Sequence, residues 1–265
     1  MSGALIADRI TKTFTVSRGG TTRELRAVND VSLAVAPGEI VGLVGESGCG
    51  KTTLSRIMIG IETATAGEIS YDGRPVRTRA EWRALRRSVQ YVFQDPFTAL
   101  CPTMRIGDAL AEPLAIHGIC PPAERKERVS RMLEMVGLHP DMARRLPNQL
   151  SGGQRQRVNL ARALMLEPKV LICDEIVSGL DVSVQAQVLA LLIALQEGLG
   201  LSLVFISHDL RVVRYLCTRV LVMYMGEVVE QGDVETVFDH PQHAYTRSLL
   251  AAIPDHSRLS AGATT

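Results

Sequence analysis

The stretch from Ile40 to Thr53, IVGLVGESGCGKTT, constrains the fold of this chain more than any other. An apolar run with the character of a buried strand enters GxxxxGK[ST], carried by Gly45, Gly50, Lys51 and Thr52, and LSRIMIG continues as a helix. Glycines let the backbone curl until its N–H groups converge on phosphate oxygens. The helix behind the loop adds its positive N-terminal end. Lys51 then reaches the outer phosphates, and the Thr52 hydroxyl offers a ligand to Mg²⁺. A plain glycine turn is the alternative reading, and the strand before it and the helix after it count against that.

The rest of the chain fits around this unit. LIADRITKTFTV and LRAVNDVSLAVAPGEI read as strands joined by a polar turn near Arg18 to Thr22, and AGEISYDGRPV as a hairpin turning at Asp72-Gly73. From about Ala80 to Pro168 helical patterns dominate: EWRALRRSV, RIGDALAEPLAIHGI, AERKERVSRMLEMVGL and QRQRVNLARALMLE, with QYVFQ as the last strand before a helical insertion. Alternation then resumes. KVLICDE and LSLVFISHD read as strands, VSVQAQVLALLIALQEGL and DLRVVRYLC as helices, and RVLVMYMGEVVEQG as a hairpin. Strands alternating with helices imply a mostly parallel sheet with helices on both faces. The tail HSRLSAGATT is polar and is expected to be disordered.

Bulk properties exclude several function classes. With 29 basic and 28 acidic residues the net charge is +1, and aromatics make up 4%. A nucleic-acid surface would usually show a basic excess and stacking rings. Five scattered cysteines without a CxxC pair suggest free thiols rather than a disulfide framework or a metal site. The N-terminus lacks the basic segment and apolar core of a secretory signal. Val188 to Ser207 looks superficially like a membrane span, but Gln196, Glu197, Gly198 and Gly200 interrupt it, leaving apolar runs too short to cross a bilayer.

Further polar residues sit where strands end. Asp174 and Glu175 follow the apolar run of KVLICDE, and carboxylates at that end of a strand lie beside the phosphate loop. Asp174 is a candidate metal ligand and Glu175 a candidate for polarising an attacking water. His208 ends another apolar strand, and Gln94 follows YVF where the helical insertion begins. LSGGQRQR is a second anion-binding candidate. Ser151 can cap a helix through its hydroxyl, and Gly152 and Gly153 expose N–H groups at its start. By itself that segment also reads as a well-capped helix with a basic face from Arg155 and Arg157.

Taken together, these residues resemble the nucleotide-binding subunit of an ABC transporter. GESGCGKTT looks like the family's Walker A loop, VFQD its Q-loop, LSGGQ its signature, LICDE its Walker B strand, SGLD its D-loop and SHD its switch histidine. The resemblance implies an α/β fold: a P-loop NTPase (RecA-like) core, an N-terminal antiparallel β subdomain and an inserted α-helical subdomain. One cassette is expected over residues 4–255, with 4–93 and 166–255 as core, 94–165 as helical subdomain and 256–265 as a disordered tail. ATP and Mg²⁺ are the implied cofactors. Phe14 would stack on adenine. Gly45, Glu46, Ser47, Gly48, Cys49, Gly50, Lys51, Thr52 and Thr53 would hold the phosphates, and Thr52, Gln94 and Asp174 the metal. Glu175, His208 and Gln94 would carry catalysis. Ser151, Gly152, Gly153, Gln154 and Asp181 would meet the nucleotide of a neighbouring subunit, since in this family two subunits pair head to tail.

Longer segments, FQDPFTALCPTMRIGDALAEPL, DEIVSGLDVSVQAQVLALL and VFDHPQHAYTRSLLAAIP, are similar to the branch that imports oligopeptides, dipeptides and nickel. The resemblance there implies a second, different ATPase chain, two membrane permeases and, indirectly, a substrate-binding protein. It also implies a peripheral position on the cytoplasmic face of the inner membrane, and no nucleic-acid partner. The sequence departs from the wider pattern at Ile176, where proline is common, and at Gly179, where alanine is common. Many members of the branch continue into a cysteine-bearing tail, whereas this sequence stops soon after Pro254, so no iron–sulfur cluster is expected. Cys49 inside the loop makes ATP binding a target for alkylation. An ABC importer ATPase for another small solute is the first alternative, and a soluble ABC ATPase working on DNA or ribosomes is the more remote one. The latter would bring coiled coils, zinc modules or a second cassette, none of which the sequence shows.

Overall fold

The structure, a computed structural model, describes residues 4–18 and 21–252. The chain opens with β1 (Leu5–Arg18) and β2 (Thr21–Val35), an antiparallel pair, before β3 (Ile40–Val44) leads into α1 (Lys51–Met58). Next come β4 (Ala66–Tyr71), β5 (Arg74–Pro75), α2 (Arg79–Ser88) and β6 (Val89–Val92). A helical stretch follows: α3 (Pro96–Ala99), α4 (Ile106–Ile116), α5 (Pro122–Met135) and α6 (Gly152–Leu164). The remainder alternates through β7 (Val170–Asp174), α7 (Val182–Leu199), β8 (Ser202–Ile206), α8 (Leu210–Leu216), β9 (Arg219–Tyr224) and β10 (Glu227–Asp233). It closes with α9 (Val234–Asp239) and α10 (Ala244–Ala251).

Two sheets result. One is antiparallel, in the order β2-β1-β4-β5. The other has the order β10-β9-β3-β8-β7-β6 and is parallel except for β10 at its edge. Every residue of β3, β7 and β8 is buried. That is the expected state of parallel strands covered on both faces, and it explains their continuous apolar runs. Alternate residues serve opposite layers. Leu171, Cys173, Leu203 and Phe205 face the core beneath α7 and α8, while Ile172, Val204 and Ile206 face the core shared with α1 and the antiparallel sheet. Both cores therefore press on the strands whose ends carry the polar residues.

The helical stretch has its own core, including Leu110, Leu114 and Leu133. Helix α6 belongs to two cores at once. Val158 and Ala161 pack with α4 and α5, whereas Leu160 and Leu164 pack into the main core. A helix shared in this way joins the helical stretch to the sheet.

Local chemistry sets the element ends. Thr78 and Glu81 form a reciprocal capping box that starts α2. The run EWRALRRSV is not helical throughout, however. α2 stops at Ser88, and buried, β-branched Val89 opens β6 opposite Val170. The Asp72-Gly73 turn has both residues at positive φ, 52° and 73°, as a two-residue hairpin of this hand requires. α7 is apolar and long enough, by length and composition, to cross a membrane. Its Val188, Leu189, Leu192 and Leu195 nevertheless form a stripe packed in the main core, and Gly200 at φ 62° ends it. Residues 19 and 20 of the polar turn expected at 18–22, and all of the tail expected at 256–265, lie outside the described residues.

Candidate nucleotide site

The phosphate loop is held open by its glycines and by one buried cation. Gly45 has φ 146° and Gly50 φ 110°. A Cβ on either would lie 2.2 Å from the Met223 carbonyl oxygen or 2.3 Å from that of Ala27. No other residue fits these two positions without moving backbone. Lys51 is only 5% exposed. Its Nζ donates to the carbonyls of Gly45 at 2.7 Å and Glu46 at 2.8 Å, and stands 3.7 Å from Cys49 Sγ. Among the described residues it has no carboxylate partner within salt-bridge distance. A buried ammonium held only by carbonyls calls for an anion. Gly50 caps α1 without any side-chain hydrogen bond, so the N–H groups of the first turn remain available.

An open cleft of about 320 Å³ lies over this loop, lined by Phe14, Leu25, Ser47, Gly48, Lys51, Thr52, Gln94 and Glu175 among others. Phe14 presents its ring on this cleft, with Lys12 Nζ 4.8 Å from the ring centroid. At the far end Gln94 Nε2 donates to Glu175 Oε2 at 2.9 Å, and His208 Nδ1 stands 3.4 Å from the same oxygen. Three polar residues from three strand ends thus meet at one carboxylate. Glu175 has φ 47°, a left-handed conformation that costs a non-glycine residue about 1–2 kcal/mol. The bend lifts its side chain out of the line of β7 while its N–H is still bonded to the Ile206 carbonyl at 3.0 Å. Strain of this kind persists where the surroundings impose it.

Ser151, Gly152, Gly153 and Gln154 do not line the cleft. They open α6 at another place, where Ser151 Oγ accepts from the Gln154 N–H at 3.3 Å and Gln154 Oε1 accepts from the Ser151 N–H at 3.0 Å. A Cβ on Gly153 would lie 2.5 Å from Val184 Cγ1, so the glycine allows α6 to seat on the start of α7. Asp181 likewise stays outside the cleft. Its Oδ1 caps α7 by accepting from the Val184 N–H at 2.9 Å and the Ser183 hydroxyl at 2.7 Å. The Ser183 hydrogen bond chiefly holds its carboxyl below the usual range.

Residues 28–178, more than half the chain, match the model of the ABC transporter family. The chain belongs to that family. A Brucella ovis protein named as a peptide import ATP-binding protein is 53% identical over 232 residues, 87% of this chain and 73% of that one. A Brucella abortus protein of the same description is 51% identical over 233 residues, covering 87% and 70%. Among solved structures, a dimeric ATP-binding cassette in a post-hydrolysis state with ADP and Pi superposes with a TM-score of 0.77 at 30% identity, over 87% of this chain and 98% of that one. cbiO1 from Clostridium perfringens, part of the transporter complex cbiONQ, superposes with a TM-score of 0.78 at 28% identity, over 98% and 100%. The protein is therefore an ABC ATPase with the α/β cassette fold, and it binds ATP.

The residues of this ABC ATPase also fit a divalent metal. Asp174 is 3% exposed, and Thr52 Oγ1 is 3.4 Å from its Oδ1. Among the described residues Asp174 makes no ion pair, and no group of three or more His, Cys, Asp or Glu side chains could hold a metal. A hard cation here would take one carboxylate, one hydroxyl, phosphate oxygens and water, which is the set Mg²⁺ favours. Two tyrosines near the site carry no sequence signal of their own. Tyr91, in β6, donates to Asp174 Oδ2 at 2.5 Å. Tyr245, in α10, accepts the Glu46 N–H of the phosphate loop at 3.0 Å and packs on Tyr224 with ring centroids 4.2 Å apart. The first looks like a core residue of an apolar strand, and the second lies 199 positions from its partner.

Proposed function

We propose that this ABC ATPase drives peptide import, pairing head to tail with a second ATPase chain beneath two permeases. The observation that carries the reading is the division of its phosphate chemistry. One face holds a finished phosphate cradle with its carboxylates. The capped N-terminus of α6, with Ser151 and two glycines, lies apart from that cradle and so suits a neighbour's nucleotide. The relatives named for peptide import, similar over most of this chain, supply the substrate class.

In this reading Lys51 and the loop N–H groups of residues 45–53 hold the phosphates, and Phe14 stacks on the base. Thr52 and Asp174 hold Mg²⁺, with Gln94 at its edge. When bound, the metal would offset the charge of the phosphate oxygens. Glu175 aligns and deprotonates the attacking water, while Gln94 and His208 hold its carboxylate in place. Ser151, Gly152, Gly153 and Gln154 complete the site of the neighbouring chain, beside Asp181. ATP favours the closed pair because only there do both cradles touch it. Residues 94–165 form a helical subdomain that passes this closure to the permeases. A groove of about 290 Å³ lined by Arg86, Phe93, Ile116 and His117 begins one residue from Gln94 and suits a permease segment. The working place is the cytoplasmic face of the membrane, and the two ATPase chains are different.

The test is to tag the Glu175→Gln variant, solubilise membranes gently with ATP, and identify what co-purifies. Two integral permeases and a second ATPase are expected, and the bound substrate-binding protein should load with peptide. Recovery of ribosomal or DNA-repair proteins alone would overturn the transport reading. A binding protein that loads only with nickel would overturn the substrate.

A further inference from the structure

Behind the cleft Thr52, Ser55, Tyr91 and Asp174 form a ring of polar contacts closed through the Thr52 backbone carbonyl, and two of its members, Ser55 and Tyr91, belong to none of the motifs. Thr52 Oγ1 lies 3.4 Å from Asp174 Oδ1, and Tyr91 Oη donates to Asp174 Oδ2 at 2.5 Å. Ser55 Oγ lies 3.1 Å from Tyr91 Oη and 3.0 Å from the Thr52 carbonyl oxygen. Because Tyr91 gives its only proton to Asp174, it can only accept from Ser55, and the single Ser55 proton serves either Tyr91 or the Thr52 carbonyl at any one time. Ser55 is fully buried and Tyr91 is 8% exposed.

The ring ties three elements together. Thr52 and Ser55 lie one turn apart on α1, Asp174 ends β7, and Tyr91 sits on β6 three residues before Gln94. β6 and β7 are parallel neighbours, with Tyr91 opposite Ile172, so the tyrosine reaches forward along the sheet to the carboxylate. A carboxylate with one free torsion can turn either oxygen toward a metal. A short hydrogen bond from a neutral hydroxyl to an ionised oxygen is among the stronger ones and fixes that torsion. With Oδ2 held, Oδ1 is the oxygen presented beside the Thr52 hydroxyl.

We infer that Tyr91, braced by Ser55, is a positioning residue that orients Asp174 for the nucleotide-bound divalent cation. This rests on the assignment of Asp174 and Thr52 to the metal made above. The tyrosine itself does not line the cleft. Because β6 runs directly into Gln94, the same residue links the metal carboxylate to the segment that holds Glu175.

The test is equilibrium binding of ATP to the full chain in a Glu175→Gln background, first in EDTA and then across a Mg²⁺ titration. Tyr91→Phe removes only the hydroxyl. ATP affinity in EDTA should stay the same, while the Mg²⁺ concentration giving half of the metal-dependent gain should rise on the order of 10-fold, as for loss of an outer partner of a metal ligand. Ser55→Ala should shift it in the same direction by less. If Tyr91→Phe does not fold, Ser55→Ala decides: a shift supports the inference and an unchanged titration overturns it. An unchanged Mg²⁺ titration in folded Tyr91→Phe also overturns it, as does an equal loss of affinity with and without the metal. If the parent chain binds ATP equally well with and without Mg²⁺, the metal assignment itself fails, which is a different result from the other two.

Discussion

Two helices of this protein have glycine at their start, Gly50 before α1 and Gly152 and Gly153 opening α6, yet they are built in opposite ways. α1 starts after Gly50 with no side-chain cap, and its first lysine is buried beneath the loop. α6 starts after Ser151 with a complete capping box, its hydroxyl already engaged by the Gln154 N–H. The first is a cradle left unsatisfied, and an anion supplies what is missing. The second has the Ser151 and Gln154 N–H groups engaged within its own chain, which leaves those of Gly152 and Gly153 for a ligand. If the two sites serve two nucleotides as proposed, the contrast accounts for a subunit that holds ATP alone and still needs a neighbour. The uncapped site sits on the core, and the capped one is carried on a helix shared with the helical stretch.

Substitutions at the two helices should separate them. The largest effect is expected at Lys51. Replacing it by alanine should weaken ATP binding to the isolated chain about 100-fold or more, since it removes the buried charge proposed to hold the phosphates. Titration of ATP into the purified variant measures this. Next comes Gly153→Val. Its side chain would run into Val184, where even a Cβ falls 2.5 Å from Cγ1. We expect a stability loss of about 1–3 kcal/mol from overpacking and lost ATPase activity of the assembled complex, with ATP affinity of the isolated chain retained. Denaturant unfolding and ATP binding on one preparation would show the split, and an equal fall of both would erase the distinction.

Ser151→Ala is milder. It removes one cap, about 1 kcal/mol of helix stability, and should weaken ATP-driven pairing while leaving binding to the single chain untouched. Sedimentation of the complex with ATP checks it. The smallest change is expected for Tyr245→Phe. The Glu46 N–H loses its acceptor, at a net cost of about 1 kcal/mol, and ATP affinity should fall by a factor of about 5. Unaltered affinity would mean that α10 does not brace the loop.

Much of the fold was legible because its signals are local. Gly45 and Gly50 announce a backbone that only glycine permits, and β3, β7 and β8 are apolar throughout because both their faces are covered. The cleft residues Thr52, Gln94 and Glu175 were readable from their place at strand ends or in a motif, and Phe14, inside β1, only from the family resemblance. Other features were hidden for physical reasons. Val89 begins a strand because Val170 pairs with it, a long-range effect that overrides the helical pattern of the residues before it. α9 and α10 are short, and α10 is held through Tyr245 against the loop rather than by a strong periodicity of its own. Tyr91 and Ser55 look like ordinary members of an apolar strand and a helix. Their role appears only when β6, β7 and α1 are assembled, because the partners Tyr91 and Asp174 are 83 residues apart. Asp181 was expected at a nucleotide, and in the single chain its carboxylate is spent on capping α7.

The central claim is that the two helix N-termini serve two different nucleotides. Hydrogen exchange at the backbone amides of residues 45–53 and 152–154 tests it directly. It would be measured in the Glu175→Gln variant with Mg²⁺ and ATP, once as the isolated chain and once in the assembled complex. The account predicts that ATP protects the loop amides in both samples and the α6 amides only in the complex. Protection of the α6 amides by ATP in the isolated, monomeric chain, or no protection of them in the complex, would contradict it.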